Sequence, residues 1–442
     1  MEIIVIIWFL IFIKLLTFWL WLWQLKEYRL DRFRAHFEAQ AAKKIISSFW
    51  RIKHPRFTKK IILILLTCIA SGVLFIFYLS FPWAILLTIF FIPLLILFFQ
   101  APTFIWRRNI IKKATQKRAN FKNLLVIGIT GSYGKTSVKE FLATILSSKF
   151  KVLSTPAHQN TDTAIAQLIL KKLTQDIEIF IVEMAAYKKG EITSPCQIVK
   201  PKIGILTGIN EQHMATFGSL ENIIKTKYEL IENLPEDGIA FFNAKNKHCL
   251  ELYQKTKIKK YLYGESARIF REENILGAVT VAKKLGMLDE EISKAVEKIK
   301  DKLPGIQRKK GINDLVILDA TYSANPDGVI GHLEYLKNFS GKKVIVMPCL
   351  IELGKASKET HKRIGQKIAE ICDLAIITTK DRFKEIKEAA GEKAIFLENP
   401  EEIFEKIESF LGGDLSSVAL AKEDVVLLES RVPNQLISLL VG

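Results

Sequence analysis

Apolar residues dominate two parts of the first hundred positions of this 442-residue chain. Ile3 to Trp23 is an almost unbroken apolar run whose only charge is Lys14, and Ile61 to Gln100 has no charged side chain and is broken by Ser80-Phe81-Pro82. About 20 apolar residues cross the hydrocarbon of a bilayer, so these runs predict three transmembrane helices, near residues 3–23, 61–80 and 83–100. No small-residue cleavage site follows the first run, which argues against a removed signal peptide. From Leu124 onward short apolar runs alternate with amphipathic stretches, a pattern of strand and helix that predicts an α/β architecture with a largely parallel sheet. Leu124-Ile129, Ile177-Glu183 and Ile203-Thr207 are expected strands, and a second series after Pro304 supplies Leu315-Asp319, Lys343-Pro348 and Leu374-Thr378. The expected organisation is a membrane region at 1–122, a nucleotide-binding domain at 123–303 and a Rossmann-like domain at 304–442.

Charge sharpens the picture of the first region. The formal net charge is +18, and residues 24–60 carry eleven Lys/Arg against three Asp/Glu while residues 101–122 carry seven Lys/Arg and no acid. The basic excess therefore flanks the apolar runs, which favours a membrane surface and membrane lipid as a partner over nucleic acid. Positive flanks mark the cytoplasmic side, so the expected placement is a multi-pass plasma-membrane protein with its N terminus outside and its catalytic domains in the cytoplasm. Five cysteines are scattered without a Cys-x-x-Cys pair, which suggests neither a disulfide framework nor a zinc site.

The strongest chemical signal is Leu124-Leu-Val-Ile-Gly-Ile-Thr-Gly-Ser-Tyr-Gly-Lys-Thr-Ser137, a buried strand, a glycine-bearing turn and a helix start in the order a phosphate loop requires. Gly131 and Gly134 allow the tight turn, and the backbone from Gly131 through Ser132, Tyr133 and Gly134 to Ser137 can present N–H groups to phosphate oxygens. Lys135 is placed to reach the terminal phosphates of ATP, and the Thr136 hydroxyl to reach a magnesium ion. The ordinary spacing would need glycine at 129, where this chain has Ile129.

The compact Gly-Ser-Tyr-Gly-Lys-Thr form instead resembles the Mur ligases, and the resemblance extends over roughly 123–442. It rests on Glu183-Met-Ala-Ala-Tyr-Lys-Lys-Gly-Glu-Ile192, Thr207-Gly-Ile-Asn-Glu-Gln-His213, Phe217-Gly-Ser-Leu-Glu-Asn222 and Asp319-Ala-Thr-Tyr-Ser-Ala-Asn-Pro-Asp327, and on Ile351-Glu-Leu-Gly354 with His361. These look most like the branch that adds D-alanyl-D-alanine. The resemblance implies that Glu183 and His213 join Thr136 as ligands of two Mg2+ ions, and that Lys227 becomes an anionic ligand as a carbamate. It further implies that Asn274 contacts the nucleotide base, that Arg308 and Asp319 reach the nucleotide from the linker and third domain, and that Asn160 and Thr161 belong to the substrate loop His158-Gln-Asn-Thr-Asp162. Lys135, His213 and Lys227 are the catalytic candidates.

Departures are visible too. Ala320 replaces a second acid, Ser323 an asparagine, Phe270-Arg271 a usual His-Asn, and Thr161 an asparagine. The soluble domain that grips a UDP-sugar in the family is replaced here by the apolar N-terminal region. The function implied is an ATP-dependent amide ligase of cell-wall precursor synthesis, with a cell-wall precursor and an amino acid or dipeptide as substrates and other cell-wall synthesis proteins as candidate partners. Two alternatives are a membrane-bound ligase similar to poly-γ-glutamate synthases and a non-catalytic ATP-binding scaffold.

Overall fold

A computed structural model describes residues 2–25, 54–78, 81–157, 159–267, 272–299, 306–312, 315–321, 325–412 and 423–441. His158, Phe270-Arg271, Tyr322-Ser323-Ala324 and the boundary at 303 with Pro304 lie outside the described residues, as does most of the first basic stretch. The chain divides into two compact units, Met1–Lys112 and Lys113–Gly442.

In the first unit the apolar runs form helices α1 (Glu2–Leu25), α2 (Lys59–Tyr78) and α3 (Phe81–Phe98). Among the described residues no helix is long and apolar enough to cross a membrane. That finding corrects the expectation of three transmembrane helices, and with it the multi-pass membrane placement, the outward N terminus and the membrane-lipid partner. Part of the apolar surface is used within the unit itself. Phe12, Leu16, Leu20 and Trp23 of α1 close on Ile61, Ile64 and Cys68 of α2 and on Ile92 and Ile96 of α3. Lys14 interrupts the first run, and Pro93 the third.

The described residues of the second unit form two six-stranded sheets. In the first, β1 (Leu125–Thr130), β2 (Val152–Ser154), β3 (Ile179–Glu183), β4 (Ile203–Leu206), β5 (Ile239–Asn243) and β6 (Lys259–Tyr263) are ordered β2-β3-β1-β4-β5-β6, every pair parallel. Central strands of such a sheet are covered on both faces and so read as continuous apolar runs, as Ile179–Glu183 and Ile203–Leu206 do, buried at every position. After β1 the chain builds β2 and β3 on one side and then β4, β5 and β6 on the other. This reversal opens a crevice beyond the carboxyl ends of β1, β3 and β4, where ligands bind in open α/β sheets. Helix α4 (Lys135–Leu146) covers this sheet with Val138, Phe141, Leu142, Ile145 and Leu146, packing on Ile127, Ile129, Ile181 and Ile205.

In the second sheet β7 (Gln307–Lys310), β8 (Val316–Ala320), β9 (Lys343–Met347), β10 (Leu374–Ile377), β11 (Ala394–Phe396) and β12 (Val425–Glu429) are ordered β11-β10-β9-β12-β8-β7, with only the edge strand β7 antiparallel. Its two apolar layers contain Leu318, Ile345 and Leu427 on one face and Ile317, Val344 and Val426 on the other. The α/β architecture and the six strands expected from sequence are therefore present, each within a few residues of its expected limits.

Candidate active site

The turn after β1 is shaped by glycine. Gly134, with φ 78°, caps the start of α4 in a left-handed conformation that a Cβ would penalise. Lys135 curls back over the turn and donates from Nζ to the carbonyl oxygens of Gly131 at 2.8 Å and Ser132 at 2.9 Å. Burial lowers the Lys135 pKa, opposed by the Glu183 charge. The Ser132 amide donates to the Gly208 carbonyl at 2.6 Å, and the Asn210 amide to Ser132 Oγ at 3.2 Å.

The Tyr133 ring lies against Gly208, and its hydroxyl accepts from Asn246 Nδ2 at 3.2 Å. A Cβ at Gly208 would lie 2.7 and 2.8 Å from the Tyr133 Cε1 and Cε2 carbons, a distance that forces the ring to move. Gly208→Ala is therefore expected to weaken ADP binding about tenfold or more, the ~1.4 kcal/mol that one displaced loop contact can cost. Calorimetric titration with ADP measures it, and an unchanged affinity would show that the ring can shift without disturbing the turn.

Glu183 ends β3 beside the turn and is nearly fully buried. Its Oε2 accepts from the Thr136 hydroxyl at 3.0 Å and its Oε1 from Asn160 Nδ2 at 3.0 Å, while the Lys139 amine lies 3.4 Å from Oε2. Burial acts to raise the carboxyl pKa, but Lys135, Asn160, Lys139 and Thr136 outweigh it and hold the group below its ordinary value. Asn160 thus meets Glu183. Thr161 instead caps the helix Asp162–Lys172, accepting from the Ala164 amide at 3.4 Å.

His213 sits in a left-handed turn with φ 63° after β4, its ring edge-on to Tyr187 at 4.6 Å between centroids. Its Nδ1 is 2.6 Å from Glu352 Oε2, a contact with the loop after β9, and Glu352 itself has φ 64°. Burial lowers the His213 pKa against the opposing pull of Glu352. Lys227, on the helix Leu220–Glu232, is buried, with Nζ 3.4 Å from the Ala186 carbonyl and 5.6 Å from the centre of the Phe217 ring. Its amine is lowered to about 7, first by burial and then by the Lys135 charge. Lys135 and Lys227 both act electrostatically on His213, which places the three side chains in one neighbourhood.

Asn274 is buried, its Oδ1 has no hydrogen-bond partner among the described residues, and that oxygen lies beside Gly134, where an added Cβ would be 2.7 Å away. An amide acceptor without a donor at the edge of a phosphate turn is suited to an incoming ligand. From the second sheet, Asn325 and Asp327 accept from Asn210 Nδ2 at 3.2 and 2.9 Å, so loops of both sheets meet over the crevice.

Two family profiles match the chain: one described as "Mur ligase middle domain" over residues 129–305, the other as "Mur ligase, glutamate ligase domain" over 306–429. This chain carries the middle and C-terminal domains of the Mur ligases. The UDP-N-acetylmuramoyl-tripeptide–D-alanyl-D-alanine ligase of Synechocystis is 29% identical over 271 residues, 55% of this chain and 59% of that protein. The chain thus spans less than two thirds of that relative's length. Among solved structures, the MurF ligase of Thermotoga maritima in complex with ADP is 26% identical with a TM-score of 0.63, covering 75% of this chain and 83% of that one. MurF of Acinetobacter baumannii, 22% identical over 75% of this chain and 80% of its own, has a TM-score of 0.67 and supports the fold.

Within the Mur ligase C-terminal domain Arg308 and Asp319, each expected to reach the nucleotide, lie on the neighbouring antiparallel strands β7 and β8. Arg308 is exposed on β7, near the Phe339 ring at 6.0 Å, whereas Lys309 reaches Asp319 at 2.7 Å. Adjacent strand residues point to opposite faces, so only one of the two can face Asp319. Burial opposes ionisation of Asp319, but Lys309 and Thr321 hold its pKa below the ordinary range. His361 is fully buried, with Nε2 accepting from the Leu350 amide at 2.9 Å and Nδ1 2.5 Å from the Ser357 carbonyl, which fixes a neutral ring that braces the loop carrying Glu352. Sequence reasoning missed Lys139 and Glu229. The second is a buried acid on the Lys227 helix that accepts from the Gly190 and Thr193 amides at 2.7 and 3.0 Å and so fixes the Gly-Glu-Ile turn.

Proposed function

We propose that this chain is an ATP-dependent amide ligase of cell-wall precursor synthesis that joins the carboxylate of a precursor peptide to D-alanyl-D-alanine. The supporting observation is the convergence of the Lys135 turn, Glu183, His213 and Lys227 at the carboxyl ends of β1, β3 and β4. The activity for which the Synechocystis relative is named and the ADP complex of the Thermotoga structure support the same reading. The central ATP-binding domain is assigned to 123–303 and the C-terminal domain to 304–442.

In the proposed reaction a substrate carboxylate oxygen attacks the γ-phosphorus of ATP and ADP leaves. The amine nitrogen of the dipeptide then attacks the acyl carbon, loses a proton, and phosphate departs. Amides of the 131–137 turn and the Lys135 ammonium offset charge on the phosphoryl oxygens, a preorganised stabilisation that solvent would have to reorient to match. Loops of the second sheet, through Asn325, Asp327 and Glu352, cover the crevice and exclude water from the acyl phosphate.

Thr136 and Glu183 present adjoining hard oxygen donors, which fit Mg2+. A bound Mg2+ would neutralise phosphate charge during transfer. Among the described residues no three His, Cys, Asp or Glu side chains converge as a ready metal cluster. A second ion at His213 would accordingly depend on an oxygen supplied by Lys227 as its carbamate. Glu352 would orient the His213 ring for such a role by holding Nδ1. Asn274 would receive the nucleotide, and Asn160 and Thr161 border the acyl-substrate side. In this reading Asp319 approaches the ribose with Lys309 beside it, and Arg308 would have to swing inward.

Phosphate release from ATP by the full-length protein, with D-alanyl-D-alanine and a UDP-linked muramoyl tripeptide, tests the reading when products are weighed by mass spectrometry. A pentapeptide product is expected. Phosphate release without amide product would reject this substrate pair, and no ATP turnover with any precursor would favour the scaffold alternative.

A further inference from the structure

Lys139 lies four residues after Lys135 and three after Thr136, so it shares their side of α4 one turn further along. It is fully buried, an uncommon state for a lysine, on the helix face otherwise occupied by Val138, Leu142 and Leu146. Packing alone would be served by an apolar residue there. Among the described residues the amine makes no hydrogen bond of good geometry, and it lies near two carboxylates, Glu140 Oε1 at 3.1 Å and Glu183 Oε2 at 3.4 Å. Glu140 is half exposed and can be served by water, whereas Glu183 is 4% exposed in its side chain and cannot. The Glu183 oxygens are already engaged by Asn160, Thr136 and Lys139.

We propose that Lys139 is the resident counter-ion of Glu183, a positioning residue that prevents this carboxylate from holding a divalent cation until the nucleotide phosphates arrive with it. The inference rests on the reading of Glu183 as a ligand of the nucleotide-associated cation. Affinity of an oxygen site for a divalent ion follows its net ligand charge. With the Lys139 amine in contact and the Lys135 charge also acting on it, the Glu183 site carries no net negative charge and attracts a bare cation poorly. A nucleotide brings additional negative oxygens and changes that balance. The lysine also keeps the carboxylate aimed at Thr136, so the site is formed before its ligands enter.

Free Mn2+, counted by electron spin resonance during titration of the full-length protein, reads the effect without turnover. Wild type and Lys139→Arg are expected to bind Mn2+ weakly in the absence of nucleotide, and Lys139→Met to bind it at least tenfold more tightly. Lys139→Gln, which can still donate to the carboxylate, serves as a second neutral variant should the methionine protein fail to fold, and the same gain is expected of it. Adding ADP should bring Mn2+ binding by wild type to the level of the variants. Equal nucleotide-free Mn2+ binding by wild type and a folded neutral variant would overturn the counter-ion role. Failure of wild type to bind Mn2+ even with ADP would instead overturn the assignment of Glu183 to the nucleotide site.

Discussion

Lys135→Ala should lower ATP turnover by on the order of 10³-fold, the scale of removing one preorganised charge from a water-poor phosphoryl-transfer site. In the structure the Lys135 amine is held by two carbonyls of its own turn, at 2.8 and 2.9 Å. It therefore waits at the mouth of the loop with its hydrogen bonds satisfied by groups it can leave when phosphate oxygens offer stronger, charge-assisted ones. Lys135→Arg should recover little, because a planar fork cannot take the place of a compact ammonium above so tight a turn. The melting temperature should change little in both variants, since the carbonyls of Gly131 and Ser132 can be solvated once the lysine is gone. Phosphate release and calorimetric ADP binding check the expectation, and near-normal turnover in the alanine variant would remove Lys135 from the reaction.

Those parts of the site built from contiguous residues were legible in the sequence. The strand, the two glycines and Lys135-Thr136 announce a phosphate turn because backbone geometry there is decided locally. Glu183 could be placed because a strand-end residue next to β1 has little freedom of position. What could not be read depends on contacts between distant residues. Glu352 meets His213 across 139 positions of sequence, through two left-handed turns that neither residue type announces. Lys309 rather than Arg308 faces Asp319 because strand register decides the face, and a shift of one residue reverses it. Lys139 did leave a signal: a charged residue at the apolar spacing of an amphipathic helix. In the N-terminal region the helices themselves were legible, but an apolar run of given length looks alike whether it packs on neighbouring helices or crosses a bilayer. The buried seam of Phe12, Leu16, Ile61, Ile64 and Ile92 is a tertiary fact.

Replacing Lys227 should separate stability from activity. Its ammonium is desolvated and repelled by Lys135, so its pKa falls to about 7 in the folded protein against 10.5 ordinarily. An unfolded chain then binds this proton more tightly than the folded one. The resulting penalty is absent above the ordinary value, grows as pH falls from about 10 towards 7, and levels off below the folded value. Lys227→Met, similar in length and without charge, is expected to raise the melting temperature by several degrees near pH 7 in CO2-depleted buffer, and to raise it less near pH 10. The same depression makes about half of the amine neutral at pH 7, and only a neutral amine can attack CO2 to form a carbamate and release a proton. Turnover should accordingly fall on the order of 10²-fold or more in Lys227→Ala, if the carbamate supplies an oxygen near the phosphoryl group. Short carboxylates such as acetate or formate should restore part of it, because they carry the missing oxygens into the space the side chain vacates. Wild type should lose activity in CO2-depleted buffer and regain it on adding bicarbonate, more readily at pH 8 than at pH 6. A Lys227→Ala variant that turns over normally, or that no carboxylate rescues while wild type ignores bicarbonate, would reject the carbamate and leave Lys227 as a buried cation whose cost the fold carries for another reason.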